Sequence, residues 1–375
     1  MTIRGQSRPA FVTRGGIQEL IDHLREGGYQ CLGPVVADGA IQFREVVDLA
    51  QFPRGVQNDQ QPGDYRLSQT TDERLFAWNH GPQAIKPLCF APQEVLWTER
   101  RGQDQTLGIN AELPDLAPTA IIGVRACDLA ALALQDRHFL EGVSPDPHYQ
   151  ARRQQLLLIG VDCAQSAQTC FCASTGDGPA LDGRFDIGLA ELAEGYLVWA
   201  GSGKGRPWVE GLSRQRATDA QLAAMLEATD HAAMAQTRHL PSEQKQRHLY
   251  QRLDHSHWQE VARRCLSCGN CTAVCPTCFC YSNTHAMGLM GDSAQMIRRW
   301  DSCFSPTLSD MGHFQVRKAT DQRYRQWLTH KLAGWQEQLG RSGCVGCGRC
   351  LTWCPVGIDL TQEVAEILYE GSHDE

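Results

Sequence analysis

The sequence predicts an α+β protein in two parts: an N-terminal α/β domain over residues 1–245 and a mostly helical domain over residues 246–375 that encloses a long insertion. Three observations lead there. Apolar runs at Ala120 to Val124 and Leu156 to Val161 are each followed by a turn rich in polar or cysteine residues, the pattern of buried parallel strands. Between residues 240 and 250 strand patterning gives way to helical patterning. In the last third, Cys265, Cys268, Cys271 and Cys275, followed by Pro276, spell C-x2-C-x2-C-x3-C-P, and Cys344, Cys347, Cys350 and Cys354, followed by Pro355, spell it again.

In chain order, a polar start containing Arg4 leads to a short amphipathic helix from Gly16 to Leu24, with Ile17, Leu20, Ile21 and Leu24 on one face, stopped by Gly27-Gly28. Cys31 to Val36 and Ile41 to Val47 read as two strands of a hairpin turning at Asp38-Gly39. Pro53 to Tyr65, rich in Pro, Gly, Gln and Asp, reads as a loop. The strand at Ala120 to Val124 is followed by a turn over Arg125 to Asp128 and a helix from Leu129; a further strand is expected at Tyr196 to Ala200. Thr218 with Gln221 forms a capping box for an Ala-rich helix to Met234. A polar helix from Ser242 to Arg264 runs into the first cysteine loop. Inside the insertion, Tyr324, Leu328, Leu332, Trp335 and Leu339 recur at helical spacing over Asp321 to Leu339, a stripe that faces a core. Asp359 with Gln362 caps the last helix, to Tyr369.

Composition narrows the function. A net charge of −8 argues against a nucleic-acid partner, which calls for an excess of Lys and Arg. No apolar run reaches the roughly 18 residues of a membrane span, and Met1 to Val12 lacks the apolar core of a secretory signal. Seventeen cysteines in metal-type spacings then point to a reducing cytoplasm and bound iron, not disulfides.

The repeated run is the signature of a ferredoxin-like pair of [4Fe-4S] clusters. Three thiolates on one tight loop cap three irons of a cubane, while the fourth, leaving beyond the proline, reaches the other cubane. The expected sets are therefore crossed: Cys265, Cys268, Cys271 with Cys354, and Cys344, Cys347, Cys350 with Cys275. Zinc or degenerate clusters are the alternative. The insertion and loops are basic, with Arg263, Arg264, Arg298, Arg299, Arg317, Lys318, Arg323, Arg325, Lys331, Arg341 and Arg349; cations beside an anionic cubane raise its potential, and a solvated face explains most of them equally well.

A second group is less regular. Cys163, Cys170 and Cys172 follow the second predicted strand and Cys127 follows the first. If the strands are neighbours, these sulfurs converge at one end of the sheet to hold a third cluster or a zinc ion, with Asp128 and Asp162 as possible substitutes. Buried free thiols are the plain alternative. Thr277-Cys278-Phe279-Cys280 repeats Thr169-Cys170-Phe171-Cys172; Cys278, Cys280 and Cys303 read as shielding residues, and Cys31 and Cys89 as structural. Gly201, Gly203 and Gly205 lack the context of a dinucleotide fingerprint and read as a turn. No histidine pairs with a Cys or Ser at nucleophile spacing.

With Arg264-Cys265, Cys268-Gly269-Asn270-Cys271, Cys275-Pro276-Thr277-Cys278-Phe279-Cys280, Trp300-Asp301-Ser302-Cys303, Tyr324 to Lys331 and Cys344 to Asp359 in view, the chain resembles the beta, iron-sulfur subunit of cytoplasmic NAD(P)-linked nickel-iron hydrogenases (sulfhydrogenases) and a related component of anaerobic sulfite reductase. Gly123-Val124-Arg125-Ala126-Cys127 and Thr169 to Cys172 extend the resemblance over most of the chain; Ala126 stands where the family pattern has proline, and Ser174 to Gly178 departs from its Ser-Met-Gly-Thr-Gly. The resemblance implies an electron-transfer subunit, an oxidoreductase component without a substrate site of its own. It would work beside a flavin subunit that handles NAD(P)H and the small and large subunits that carry the nickel-iron site. The competing expectation is a component of a sulfite or polysulfide reductase with its own flavin or substrate site in the N-terminal domain.

Overall fold

Strands Thr119–Val124 and Leu156–Val161 lie side by side and parallel at the centre of an eight-stranded sheet among the described residues. The structure is a computed structural model and describes residues 8–83, 85–102, 106–288 and 293–369. The polar start through Arg4 lies outside them.

Every residue of Leu156–Val161 is buried, as is all of Thr119–Val124 after its first residue, so both faces of this part of the sheet are covered. Gln30–Ala37 extends the sheet on one side and Ile187–Glu191 on the other, both parallel to the central pair. Beyond these, Ala40–Glu45 pairs antiparallel with Gln30–Ala37, while Gly195–Ala200, Ala10–Thr13 and Gln215–Arg216 complete the other edge. The hairpin turn at Asp38-Gly39 holds both residues at positive φ, 51° and 73°, which Asp and Gly tolerate best. Helix Gly16–Glu26 lays Ile17, Leu20, Ile21 and Leu24 on one face of the sheet. Helix Ala126–Leu140 supports the opposite face through Leu129 and Leu132.

The capping box at Thr218 forms as expected, with Thr218 Oγ1 accepting from Gln221 N at 3.2 Å, and the helix runs Asp219–Met234. Three expectations change. The helix after the first central strand begins at Ala126, not Leu129, so Cys127 sits in its first turn. The segment predicted as a loop at 53–65 supplies most of a hairpin, Val56–Gln61 with Asp64–Gln69, turning at Pro62-Gly63; its strands are polar because they lie against the second cysteine loop, where Gly63 N donates to Leu351 O at 3.0 Å. The stretch from Ser242 to Arg264 breaks into Glu243–Gln246, a 3-10 segment Arg247–Arg252 and helix His257–Arg264.

Strands also continue past residue 250. Tyr281–Met287 and Ser293–Trp300 form a hairpin in the insertion, and this joins Gln93–Arg101 and Leu107–Ala111 in a four-stranded antiparallel sheet. Both sides of residue 245 therefore contribute to one sheet. The insertion's helix runs Thr320–Thr329, a π-turn at His330–Gly334, and Trp335–Leu339. Tyr324, Leu328 and Leu332 of its stripe pack with Trp258, Val261 and Val364 around the cysteine loops, while Trp335 and Leu339 pack beside Cys127, Cys172 and Cys347. Among the described residues no helix is long and apolar enough to cross a membrane.

Candidate metal centres

The two cysteine runs are built alike. Gly269 and Gly348 occupy the same place in each, with φ 78° and 76°, and each opens one helical turn, Asn270–Ala273 or Arg349–Thr352. Such a φ suits glycine best. At Gly348 a side chain would also run into Thr169 O, 2.3 Å from the position of a Cβ. The turn carries the third cysteine of each run inward, and the two turns pack together.

Cys265, Cys268, Cys271 and Cys354 line one pocket together with Cys350 of the second run, and Phe304, Tyr324 and Trp327 close it. Helix His257–Arg264 delivers Cys265 at its C-terminal end. Backbone N–H groups point at the sulfurs: Ser267 N at 3.4 Å from Cys265 Sγ and Ile358 N at 3.3 Å from Cys354 Sγ. Tyr324 Oη and Trp327 Nε1 are buried without a hydrogen-bond partner among the described residues. Both side chains line this same pocket, so the pocket is furnished with donors for an acceptor that the chain does not itself supply. Cys268 is exposed, which brings this group to the surface.

Cys344, Cys347, Cys350 and Cys275 form a deeper group. Burial pushes the Cys344 thiol up to about 12 and raises Cys347 and Cys350, each further raised by its neighbouring cysteines, Cys275 among them in every case. A hydrogen bond from Cys278 pulls Cys275 the other way, well below the ordinary thiol range, and Lys331 adds to it. Lys331 Nζ lies 3.5 Å from Cys275 Sγ and 2.8 Å from Thr277 Oγ1. Burial works against its charge, yet Cys275, Cys278 and Cys344 hold its pKa above the usual lysine value. Lys86, also buried, donates to Ala273 O at 3.1 Å and lies 3.8 Å over the Trp300 ring; burial lowers its pKa while Cys278 and Cys275 resist. The groups that face these two ammoniums are cysteine sulfurs rather than carboxylates.

Because the two central strands are neighbours, Cys127 and Cys163 emerge at the same end of the sheet, and the loop bearing Cys170 and Cys172 folds back to them. Burial raises all four thiols; Cys170 and Cys163 bear on Cys172, and Cys172 on Cys127. Gly346 locks this loop to the second cysteine run: its carbonyl accepts from Phe171 N at 2.8 Å, and a Cβ there would fall 2.5 Å from Cys172 N. Cys127, Cys172 and Cys347 consequently share one apolar cluster. Arg349, wholly buried between Cys347 and Cys350, makes a two-pronged ion pair with Asp128 at 2.7 and 2.9 Å.

The two carboxylates read as substitute ligands have contacts of their own. Asp128 is taken by Arg349, and Asp162 Oδ1 accepts from Leu181 N at 2.7 Å. His80, which no sequence spacing ties to a cysteine, stands with Nε2 3.1 Å from Cys127 Sγ, and burial, with Arg349 and Arg125 nearby, keeps its pKa well below the usual value. Gln236 Nε2 donates to Cys172 Sγ at 3.3 Å. His80, Lys86 and Gln236 come from segments without any motif and carry no signal in the sequence. Several of the basic residues in the insertion and loops have acidic partners, such as Arg298 with Glu94 at 2.6 Å and Arg264 with Glu363 at 2.8 Å, while Arg323 and Arg325 donate to backbone carbonyls; Lys331 and Arg349 are the ones drawn in among the thiols. Cys278 lies against Cys275, and Cys280 Sγ is 3.8 Å from Cys303 Sγ. Cys31 and Cys89 are buried in the sheet's two cores, their thiols pushed up to about 11 and about 12 by burial.

Among the described residues no three His, Cys, Asp or Glu side chains converge as one metal ion requires. A tetrahedral zinc ion, with sulfur at about 2.3 Å, would hold its thiolates only about 3.8 Å apart.

Residues 264–358 match the model of a family described as a 4Fe-4S dicluster domain. Over 356 residues the chain is 34% identical to Sulfhydrogenase 2 subunit beta of Pyrococcus furiosus, covering 93% of this chain and 95% of that protein. No solved structure matches.

Proposed function

From its membership of the sulfhydrogenase beta-subunit family, to which the chain belongs, we propose that it relays single electrons between a flavin subunit that handles NAD(P)H and a nickel-iron module of small and large subunits. The coarser statement stands on its own: this is an iron-sulfur, electron-transfer subunit of the sulfhydrogenase type with a 4Fe-4S dicluster domain. In the finer reading Cys265, Cys268, Cys271 and Cys354 hold one cluster and Cys344, Cys347, Cys350 and Cys275 the second. Cys127, Cys163, Cys170 and Cys172, gathered at one end of the sheet beside Cys347, hold a third. The reducing conditions that these thiols need favour a cytoplasmic location.

The single observation that carries the reading is that Cys354 lines the same pocket as all three loop cysteines of the first run, with Cys350 where the two groups meet. A ligand from the far end of the second run closes the first site, as the crossed arrangement requires. The donor set also suits the group. Free thiols pushed up by burial would stay protonated and inert, whereas iron ligation deprotonates them. Lys331 and Lys86 would offset the charge of thiolate-bound cages, and Tyr324 and Trp327 would offer hydrogen-bond donors to the group held in their pocket.

Bound clusters supply one-electron exchange at potentials set by charge, hydrogen bonds and water access. The protein's part is to arrange a route. Cys268 at the surface marks an exchange point for a partner. Cys271 and Cys350 bring the first and second groups together, and Gly346 with the Arg349–Asp128 pair holds the third beside the second. Apolar walls exclude water along that line.

Iron and acid-labile sulfide analysis of the anaerobically purified chain tests the reading. About twelve irons correspond to three cubanes and about eight to two; zinc at the cysteine positions would end it. In the assembled complex, Cys268→Ala should remove one cluster's signal and abolish NAD(P)-linked hydrogen turnover while dye reduction at the nickel site survives. Equal loss of both activities from an intact assembly would defeat the relay role.

A further inference from the structure

The insertion's hairpin is rooted in a pair of thiols to which the relay gives no role. Cys280 immediately precedes strand Tyr281–Met287, and Cys303 follows strand Ser293–Trp300 by three residues. The ladder closes between them, with Asp301 N donating to Cys280 O at 2.9 Å. There the two Sγ atoms lie 3.8 Å apart, in van der Waals contact, on half-buried residues. The segment before them is firmly held, since Phe279 stacks on His138 at 3.6 Å and on Trp335 at 4.9 Å between ring centroids. The positive charges of Lys331 and Lys86 bear on Cys280, and those of Lys331 and Arg317 on Cys303. Cys278 is engaged elsewhere, against Cys275. Two thiols in contact, held by an antiparallel ladder and flanked by cations, are the requirements of thiol–disulfide exchange.

We propose that Cys280 and Cys303 form a reversible dithiol–disulfide switch that exchanges with low-molecular-weight disulfides. The Cys280 thiolate attacks one sulfur of R–S–S–R; that S–S bond breaks, a mixed disulfide forms on Cys280 and one R–S⁻ leaves. Cys303, its proton released to solvent, then attacks Cys280 Sγ and displaces the second R–S⁻. Two electrons pass from the protein thiols to the small disulfide, and the two protons end on two R–SH. The new bond ties the two ends of the hairpin five residues downstream of Cys275, so the switch lies within reach of the second cysteine group without using its ligands.

The test uses the full chain with its iron, equilibrated anaerobically in mixtures of reduced and oxidised dithiothreitol. Free thiols are then blocked with N-ethylmaleimide under denaturing conditions, disulfides are reduced and relabelled with iodoacetamide, and peptides are weighed. The expected result is that Cys280 and Cys303 change label together in one two-electron step, with a cross-linked peptide before reduction and unchanged iron. Cys280→Ser and Cys303→Ser should each abolish the step and keep their iron. Maleimide on both residues at every mixture, a cross-link that uses Cys278 instead, or iron lost from either serine variant would overturn the proposal, the last because it would make the residue a ligand.

Discussion

Lys331→Met removes a buried cation from the second cysteine group with little change in volume, and its effect can be worked from one distance. The ammonium stands 3.5 Å from Cys275 Sγ. A full unit charge on that sulfur would be stabilised by about 5 kcal/mol at an effective dielectric constant of ~20. The electron added on reduction spreads over a cage rather than resting on one sulfur, so about half, ~2.4 kcal/mol, is the working figure. For one electron, at ~59 mV per tenfold change, that lowers the potential of the associated cluster by about 100 mV. The direction is fixed by charge: a cation favours the more negative, reduced state, and its loss makes reduction harder. The assay is an anaerobic redox titration followed by EPR of wild type, Lys331→Met and Lys331→Arg, the arginine variant retaining the charge and most of the potential. A shift in Lys331→Met below about 20 mV, or upward, would refute both the ligand role given to Cys275 and the electrostatic role given to Lys331.

Two further outcomes follow from buried ion pairs. Arg349→Met leaves Asp128 buried without its partner and should cost about 3–5 kcal/mol in denaturant unfolding, whereas adding Asp128→Leu should restore most of it; a single variant within about 1 kcal/mol of wild type, or no recovery in the double, would count against the pair as the clasp between the cysteine loop and the sheet. Arg298 bridges Glu94 and Asp146 in the interior. Burial would raise the Asp146 carboxyl, but hydrogen bonds from Arg298 and Tyr149 N outweigh it and keep its pKa below the ordinary value. A carboxylate lowered on folding contributes stability above its unfolded pKa of ~3.9 and loses it as pH falls through the folded value. Arg298→Met should therefore be most damaging near neutral pH, and the gap from wild type in denaturant midpoint should narrow on acidification; a gap that widens would contradict the assignment.

Much of the function was legible from spacing alone. The repeated C-x2-C-x2-C-x3-C-P run marks iron chemistry because ligand spacing within a tight loop is a local property, and Gly269 and Gly348 recur inside it for an equally local reason. The central strands, Asp38-Gly39 and the Thr218 cap were readable because each is governed by neighbours a few residues away. The strands at Tyr281–Met287 and Ser293–Trp300 were not: their residues, such as Asn283, His285, Gln295 and Arg298, show little apolar alternation, and they become strands by pairing with each other and with Gln93–Arg101. The hairpin at Val56–Gln61 escaped for the same reason, its polar side chains explained only by the cysteine loop it covers.

The sequence by itself determined that the chain carries a 4Fe-4S dicluster domain with two cysteine runs and serves electron transfer, since the thiols and their intervals are written in order. Tertiary structure alone decided which charges and donors surround them. Lys86, His80 and Gln236 reach the thiols from distant, unpatterned segments, and Arg349 finds Asp128 across the molecule. Such contacts depend on burial and on long-range packing of the sheet against the cysteine loops, where the cost of leaving a charge unpaired selects one partner out of many.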